Sequence, residues 1–201
     1  MEYTFIKQYL RETKEIIERI NIFEIKKAVD LIYSVAKKKG RIFFLGVGGS
    51  AGNASHAVND FRKILNIESY TPVDNVSELT ATINDNGWSE SFVNFLKISN
   101  LNKNDLIFIF SVGGGNLKKK VSINIVSAID YAFKKKVKIL SIVGRDGGYA
   151  KKFSDACILI PTINKMTVTP HSEEAQAIIW HLLVTHPKLK KHQTKWESYN
   201  K

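Results

Sequence analysis

Short apolar segments alternate with longer segments of helical periodicity along most of the chain. Four of the short segments consist almost wholly of Ile, Leu, Val and Phe, which is typical of strands buried on both faces of a sheet. They span Arg41–Leu45, Asp105–Phe110, Val137–Val143 and Ala156–Ile160, and a weaker fifth spans Glu68–Thr71. Apolar positions three or four residues apart predict helices between and after them, over Ser50–Leu65, Leu117–Lys135, Tyr149–Phe153 and Ser172–His186.

This alternation predicts an α/β fold, a doubly wound five-stranded parallel sheet with right-handed crossovers. No linker or repeat interrupts the pattern, so we expect residues 1–201 to form one domain. Two amphipathic helices, Tyr3–Ile20 and Ile22–Lys39, precede the first strand and have no strand of their own to pack on. Region 1–39 is therefore predicted to join subunits, because long exposed apolar stripes mark association surfaces.

Composition narrows the class of protein. The chain has 201 residues, 44% of them hydrophobic, and contains no apolar run long enough to span a membrane. It has no secretory signal at its N-terminus, and its single cysteine, Cys157, excludes an internal disulfide, so we expect a cytoplasmic protein without a membrane partner. The net charge of +11 lies in scattered lysine clusters without interleaved aromatics. These clusters indicate solvated helix ends rather than a nucleic-acid interface.

A glycine-rich turn after the first strand carries the strongest functional signal. Gly48, Gly49 and Ser50 lead from the strand into a helix, where free backbone N–H groups and the helix dipole favour a phosphate. The turn fits neither the nucleoside-triphosphate nor the dinucleotide glycine pattern. His56 and Asp60, four residues apart, lie on one face of the same helix. The segment therefore predicts a sugar-phosphate site beside acid–base or metal chemistry.

Further polar turns follow the other strands. Ser111, Gly113 and Asn116 belong to a turn after the second strong strand, and another glycine-rich turn spans 144–148. In doubly wound sheets ligands bind beyond the carboxyl ends of the strands, so these turns are expected to meet at one site. Asn84 and Asp85 lie in an Asn- and Gly-rich segment that predicts a turn, placed to contact sugar hydroxyls.

The last predicted helix contains polar residues among apolar ones. Glu173 lies in its first turn, where an acid can simply complement the helix dipole. Gln176 and His181 lie where the helix should be apolar, so each needs a hydrogen-bond partner or a ligand. Pattern alone leaves both readings open.

Taken together, these turns and the Gln-containing last helix resemble the sugar isomerase (SIS) domain family, and within it the phosphoheptose isomerase branch. The resemblance extends over nearly the whole chain, including the two leading helices. It implies an aldose–ketose isomerase that converts sedoheptulose 7-phosphate into D-glycero-D-manno-heptose 7-phosphate for bacterial heptose biosynthesis. It also implies a homotetramer with active sites shared between subunits.

The resemblance assigns roles to residues already singled out. The metal-binding histidine of the family falls on His56 and its catalytic glutamate on Asp60, which is one methylene shorter. Its substrate-binding Asn–Asp pair falls on Asn84 and Asp85. Its phosphate turns, its glutamine and an acid three residues before that glutamine fall on Gly48, Gly49, Ser50, Ser111, Gly113, Asn116, Gln176 and Glu173. It implies a divalent ion such as zinc, with the ligands His56, Asp60, Gln176 and His181.

The sequence departs from the family pattern in three places. Val47 replaces the asparagine of the first turn, and the loop that begins at Ser111 keeps only its first serine. The second catalytic histidine of the family lies eight residues after the glutamine, and that position is Val184. His181 lies five residues after Gln176, about 140° around a helix rather than about 80°. Either the helix is rotated, or the ligand set is altered, or a second histidine is not used.

Two functions follow as hypotheses. In the first, Asp60 is the base and His181 the acid of an isomerisation through an enediol. In the second, the chain is a non-catalytic SIS module that binds a sugar phosphate or a protein. A neighbouring subunit that brings Gln176 and His181 to His56 would remove the angular conflict in the first.

Overall fold

The computed structural model describes residues 2–199. The helices are α1 (Glu2–Arg19), α2 (Ile22–Lys37), α3 (Gly49–Leu65), α4 (Val76–Asn86), α5 (Ser91–Ile98), α6 (Ile123–Lys134), α7 (Gly148–Phe153), α8 (Val168–Thr185) and α9 (Lys195–Ser198). The strands are β1 (Ile42–Leu45), β2 (Ser69–Tyr70), β3 (Leu106–Ser111), β4 (Lys138–Val143) and β5 (Ala156–Leu159). A short 3₁₀ helix, Trp88–Glu90, lies between α4 and α5.

The five strands form one parallel sheet in the order β2-β1-β3-β4-β5, which confirms the predicted fold. In register, Ile42 of β1 lies beside Leu106 of β3, and Leu106 beside Lys138 of β4. Because all strands run the same way, the turns that follow β1, β3 and β4 lie along one edge of the sheet.

Helices cover both faces of the sheet, and each face has its own apolar core. Phe44 of β1 packs with residues of α2, α3 and α8 on one face. Phe43 and Leu45 point the other way, toward α5 and α6. Successive strand residues alternate between faces, so a strand buried on both sides must be apolar at nearly every position.

The region after β3 differs from the prediction. A helix over Leu117–Lys135 was expected, but α6 begins only at Ile123. Asn116 and Val121 exchange both backbone hydrogen bonds, and Ser122 has a left-handed φ of 49°. The intervening lysines therefore form a surface loop, and the prediction is wrong for 117–122.

The segment around Asn84 also differs. The expected turn is the C-terminal part of α4, whose N-terminus is capped by the Asn75 side chain. The helix ends at Gly87, whose φ of 83° suits glycine. Neither α4 nor α5 was predicted, because their apolar positions are few or the segment is short.

Helix α1 packs with an unusual orientation. Its Glu12 and Ile16 are buried against the rest of the chain, whereas most of its large apolar side chains are exposed. The exposed ones are Tyr3, Phe5, Ile6, Leu10 and Ile17. Tyr3, Ile6, Leu10 and Ile17 share one side of the helix, opposite Glu12 and Ile16, and we refer to these four as the outer face of α1. Within residues 2–199 no helix has both the length and the apolar character of a membrane span.

Candidate active site

Helices α3 and α8 pack side by side and bring His56, Asp60 and His181 together within one chain. The Nε2 atoms of His56 and His181 each lie 3.9 Å from Asp60 Oδ2, and the two imidazole centroids are 5.5 Å apart. Both imidazoles are about half exposed, whereas the Asp60 side chain is mostly buried. We call these three residues the His–Asp–His cluster.

The cluster has the donors of a metal site. One ligand atom from each residue lies within 4.8 Å of the others. Two imidazoles and a carboxylate are a zinc-type ligand set, and three protein ligands leave a position open for substrate. Ligand atoms on one zinc ion stand about 3.3 Å apart, so small side-chain rotations would close the cluster around an ion. The residues present therefore fit a divalent metal.

Neighbouring groups orient the two histidines. His181 Nδ1 donates to the Ala177 carbonyl oxygen at 2.8 Å, which leaves Nε2 free to face Asp60. Such a second hydrogen bond fixes the tautomer of metal-binding histidines. The fully buried Trp180 ring lies 4.7 Å from the His56 ring and forms the apolar side of the cluster.

The contact between His181 and His56 changes one expectation. A neighbouring subunit was one of the explanations offered for how His181 could reach His56, but the packing of α3 on α8 brings them together in a single chain. Val184, the position predicted for the second histidine, lies in the apolar core. His181 is half exposed and Gln176 is fully buried, so the two lie on different sides of α8, as the angle between them predicted.

Gln176 lies in the seam between α3 and α8 rather than at the surface. It is fully buried, and its Oε1 accepts from Asn53 Nδ2 at 3.0 Å. Asn53 precedes His56 by one helical turn and also donates to the Glu173 carbonyl oxygen. Gln176 Nε2 has no hydrogen-bond partner within residues 2–199. Gln176 is thus hydrogen-bonded to Asn53 between the two helices, one helical turn away from the His–Asp–His cluster.

The first glycine turn leads into α3 as predicted. Gly48 has a φ of 64°, and α3 begins at Gly49. The Ser50 hydroxyl is buried and has no partner within the described residues. The Glu173 carboxylate faces this turn, because a Cβ added at Gly49 would lie 2.3 Å from Glu173 Oε2. A negative charge therefore already occupies the space at the N-terminus of α3.

The turns after β3 and β4 are joined to each other. The N–H groups of Tyr149 and Ala150 donate to the carbonyl oxygens of Gly115 and Gly114. A Cβ at Gly114, whose φ is 67°, would lie 2.0 Å from the Gly147 carbonyl oxygen. The glycines thus allow the β3 turn and the β4 turn to pack closely against each other. The sequence alone did not indicate this role.

Hydrogen bonds within the β3 turn orient two of its predicted phosphate ligands and leave the Ser111 O–H and the Asn116 NH₂ free to donate. Ser111 Oγ accepts from the Gly114 N–H, and the Asn116 side chain accepts from the Lys119 N–H. Gly113 remains partly exposed at the edge of the sheet.

Asn84 and Asp85 lie exposed near the end of α4. Within residues 2–199 their side chains hydrogen-bond to each other and to no other residue. Their role as sugar ligands stays a prediction.

A buried polar network that sequence analysis missed joins α1 to α8. The Glu12 carboxylate accepts from His171 Nε2 at 3.0 Å, and the Tyr9 hydroxyl donates to Glu174. Burial and the Glu174 carboxylate raise the pKa of Tyr9 to about 12. Glu12 was missed because an acidic residue in an amphipathic helix is normally exposed to solvent. The only signal of the network in the sequence was a histidine, His171, near the start of the last helix.

Comparisons with known proteins agree with this architecture. The family model for the SIS domain matches residues 8–144. A phosphoheptose isomerase of Helicobacter pylori is 31% identical over 79% of this chain and 80% of its own length. One of Buchnera aphidicola is 30% identical over 78% of this chain and 76% of its own.

A solved structure supports the fold. The phosphoheptose isomerase of Neisseria gonorrhoeae has a TM-score of 0.79 at 21% identity, and the match covers 92% of this chain and 97% of that one. At that identity the likeness concerns the fold alone. The family model and the sequence relatives show that this chain belongs to the SIS domain family, in its phosphoheptose isomerase branch.

Proposed function

We propose that this chain isomerises sedoheptulose 7-phosphate to D-glycero-D-manno-heptose 7-phosphate in the cytoplasm. The observation that carries the proposal is the His–Asp–His cluster, half open to solvent on the α3–α8 seam. The names of the relatives point to the same reaction. The non-catalytic alternative has no comparable support, because a binding module does not need an oriented base and acid.

Asp60 and His181 would perform the proton transfers. Asp60 takes a proton from the carbon of the substrate that carries the terminal hydroxyl, and the carbonyl oxygen gains a proton, which gives an enediol. The base then returns a proton to the neighbouring carbon, while the other enediol oxygen loses its proton and becomes the aldehyde. Without an ion at the cluster, His181 Nε2 moves the proton between the two oxygens, because Nδ1 is held by the Ala177 carbonyl. With an ion bound, Nε2 would be a ligand instead, and the substrate oxygens would exchange the proton without it.

A divalent ion, which we propose to be zinc, would be held by His56, Asp60 and His181, with Gln176 as the further predicted ligand. When bound, it would polarise the carbonyl and hydroxyl oxygens of the substrate.

Glu173 offers an explanation for the displaced histidine. The family pattern places the second histidine eight residues after a glutamine, and Glu173 lies eight residues before His181. We therefore propose, in place of the Gln176 role that the resemblance predicts, that Glu173 stands at the glutamine position and that His181 is the second histidine. Gly48, Gly49, Ser50, Ser111 and Gly113 stay predicted phosphate contacts, and Asn84, Asp85 and Asn116 predicted substrate contacts.

The proposed reaction is tested by coupled turnover of sedoheptulose 7-phosphate. Asp60→Asn should lower kcat about 10²- to 10⁴-fold, the usual contribution of general acid–base catalysis. The matched control is Asp30→Asn. It removes the carboxylate of an α2 residue that pairs with Lys26 on the same helix and with Lys188 after α8. Normal turnover by Asp60→Asn would remove Asp60 as the base. Substrate binding without turnover by the wild type, at any added metal, would favour the non-catalytic alternative.

We also propose that the chain forms a homotetramer with shared active sites, without a nucleic-acid or membrane partner. The outer face of α1 supports this proposal, because four large apolar side chains on one side of the helix form a surface that a second copy would cover. Light scattering should give about four chains per particle, and an active monomer would contradict the proposal. DNA binding that weakens with salt would contradict the absence of a nucleic-acid partner.

A further inference from the structure

The proposed site lacks an obvious cation for the substrate phosphate. The N-terminus of α3 faces the Glu173 carboxylate, and the Ser111 hydroxyl is engaged with the Gly114 N–H. A phosphate dianion placed at these turns alone would meet the Glu173 carboxylate and the Ser111 hydroxyl, which can still donate its proton, but no cation. A positive group on the same edge of the sheet would offset the carboxylate and strengthen phosphate binding.

Arg145, the second residue after β4, meets that need. Its side chain lies over the β3 turn, with Cδ 3.7 Å from the position of a Cβ at Gly113. It is exposed and forms no ion pair within residues 2–199. Asp146 beside it is turned into its own loop, where Oδ1 accepts from the Gly148 N–H. The guanidinium is thus available to an anion.

The backbone at Arg145 is held in an unusual conformation. Its φ is 53°, in the left-handed region that costs free energy for a residue with a large side chain. Six other non-glycine residues among those described have a φ between 49° and 56°, so this conformation marks a turn and does not by itself indicate a ligand. Here the close packing of the β3 and β4 turns imposes the conformation and directs Arg145 over Gly113.

A cavity of about 410 Å³ adjoins Arg145. Thr162, Lys165 and Val168 line it together with Arg145 and Asp146. Its size lies within the usual range of small-molecule pockets, and Lys165 adds a second exposed cation. Arginine binds phosphate oxygens through two parallel hydrogen bonds, and lysine binds them as a point charge.

We propose that Arg145, assisted by Lys165, binds the phosphate group of the sugar phosphate in this cavity, which takes over the role of the hydroxyls absent from the β3 turn. This inference rests on the proposed function for the identity of the sugar. The anion site itself, a site for a phosphate monoester, does not depend on turnover.

The position of the cavity has a consequence for the assembly. Val168 at the cavity and His181 in the cluster are thirteen residues apart on α8, which is about 20 Å of helix. An extended seven-carbon sugar phosphate is shorter than that. This spacing favours the shared active sites proposed above, in which a phosphate held by Arg145 of one chain would face the His–Asp–His cluster of another chain.

Steady-state kinetics test the role of Arg145. Arg145→Asn removes the charge but keeps a residue that tolerates the left-handed conformation, so the fold should be retained. Loss of a charged hydrogen bond predicts a KM raised about 10- to 100-fold with kcat within about twofold. Arg145→Lys should recover part of the loss. Arg19→Ala, which removes a guanidinium paired with Glu15 at the end of α1, is the control. An unchanged KM for Arg145→Asn overturns the inference.

Binding of inorganic phosphate gives a readout independent of turnover. Titration calorimetry should show phosphate binding to the wild type that weakens at least 10-fold in Arg145→Asn. If the wild type binds phosphate through Arg145 but never turns over sedoheptulose 7-phosphate, the proposed function fails and the anion site stands. If phosphate binds equally to both proteins, the anion site fails.

A mixed assembly tests the second-chain requirement. Coexpressed Arg145→Asn and Asp60→Asn chains should form some sites with both wild-type groups. At low substrate concentration, kcat/KM of the mixture should exceed that of either variant alone. A mixture no more active than the Arg145→Asn chains it contains would refute a site shared between chains.

Discussion

Replacing Glu12 by glutamine probes the network that docks α1 on α8. The Glu12 side chain is only 8% exposed. Its carboxylate accepts from Gln8 Nε2 at 2.8 Å, Asn164 Nδ2 at 2.9 Å, and Thr167 Oγ1 and His171 Nε2 at 3.0 Å. A glutamine amide keeps one acceptor oxygen but presents an NH₂ group to donors. The two hydrogen bonds at the oxygen that becomes NH₂ must therefore be lost or reversed in direction, and all four lose the strengthening that the negative charge supplies.

The magnitude follows from the pKa of Glu12. Burial alone would raise the pKa of this carboxyl, but the hydrogen bonds more than offset burial and lower its pKa from 4.5 to about 2. At about 1.4 kcal/mol per pKa unit, the ionised form stabilises the fold by about 3 kcal/mol. Because the folded-state pKa is the lower one, this contribution is present above pH 4.5 and is lost as the pH falls toward 2.

Chemical denaturation at a fixed chain concentration measures the effect. At pH 7, Glu12→Gln should lower the free energy of unfolding by about 3 kcal/mol. At pH 3 the wild type has already lost about 2 kcal/mol of this contribution, so the difference between the two proteins should narrow by that amount.

Glu18→Gln on the same helix is the matched control. Glu18 is exposed and pairs with Lys14 at 3.7 Å, so its loss should change the free energy of unfolding by less than about 0.5 kcal/mol at either pH. A Glu12→Gln effect as small as that of Glu18→Gln, or one that does not vary with pH, would refute the reasoning.

Three further substitutions test other parts of the structure. Leu10→Glu places a charge on the outer face of α1 and should reduce the particle mass in light scattering, whereas an unchanged mass would place the interface elsewhere. Gly114→Ala adds a Cβ 2.0 Å from the Gly147 carbonyl oxygen and should lower the melting temperature and cost at least about 2 kcal/mol; unaltered melting would contradict the close packing of the turns. Asp105→Ala leaves the partly buried Arg41 guanidinium without its carboxylate and should lower the free energy of unfolding, measured with denaturant, by about 3 kcal/mol. A loss of no more than about 1 kcal/mol would show that the pair acts as a surface ion pair.

The sheet could be predicted because its strands are buried on both faces. A strand such as Leu106–Ser111 has no solvent-facing side, so its residues are nearly all apolar and its limits are visible in the sequence. The helices α4 and α5 were missed for the opposite reason. They are short or mostly exposed, and Asn75 and Gly87, which begin and end α4, are typical of turns as well as of helix ends.

The site was predictable only within single elements. His56 and Asp60 are four residues apart on one helix, so their proximity follows from helix geometry. His181 comes from a helix more than a hundred residues later, and its place beside His56 depends on how α8 packs on α3. Helical angles measured from Gln176 could not show this, because Gln176 and Val184 both face the interior.

The sequence by itself determined the strands, the longer helices around them, the glycine turns at the sheet edge and the His56–Asp60 pair, because these depend on local periodicity and spacing. Tertiary structure alone decided which polar groups meet across elements. It turned the Glu173 carboxylate toward Gly49, directed Arg145 over Gly113 and buried Glu12 of α1 against α8. These contacts join residues distant in sequence, and their free energies depend on desolvation and distance, neither of which is encoded in any local pattern.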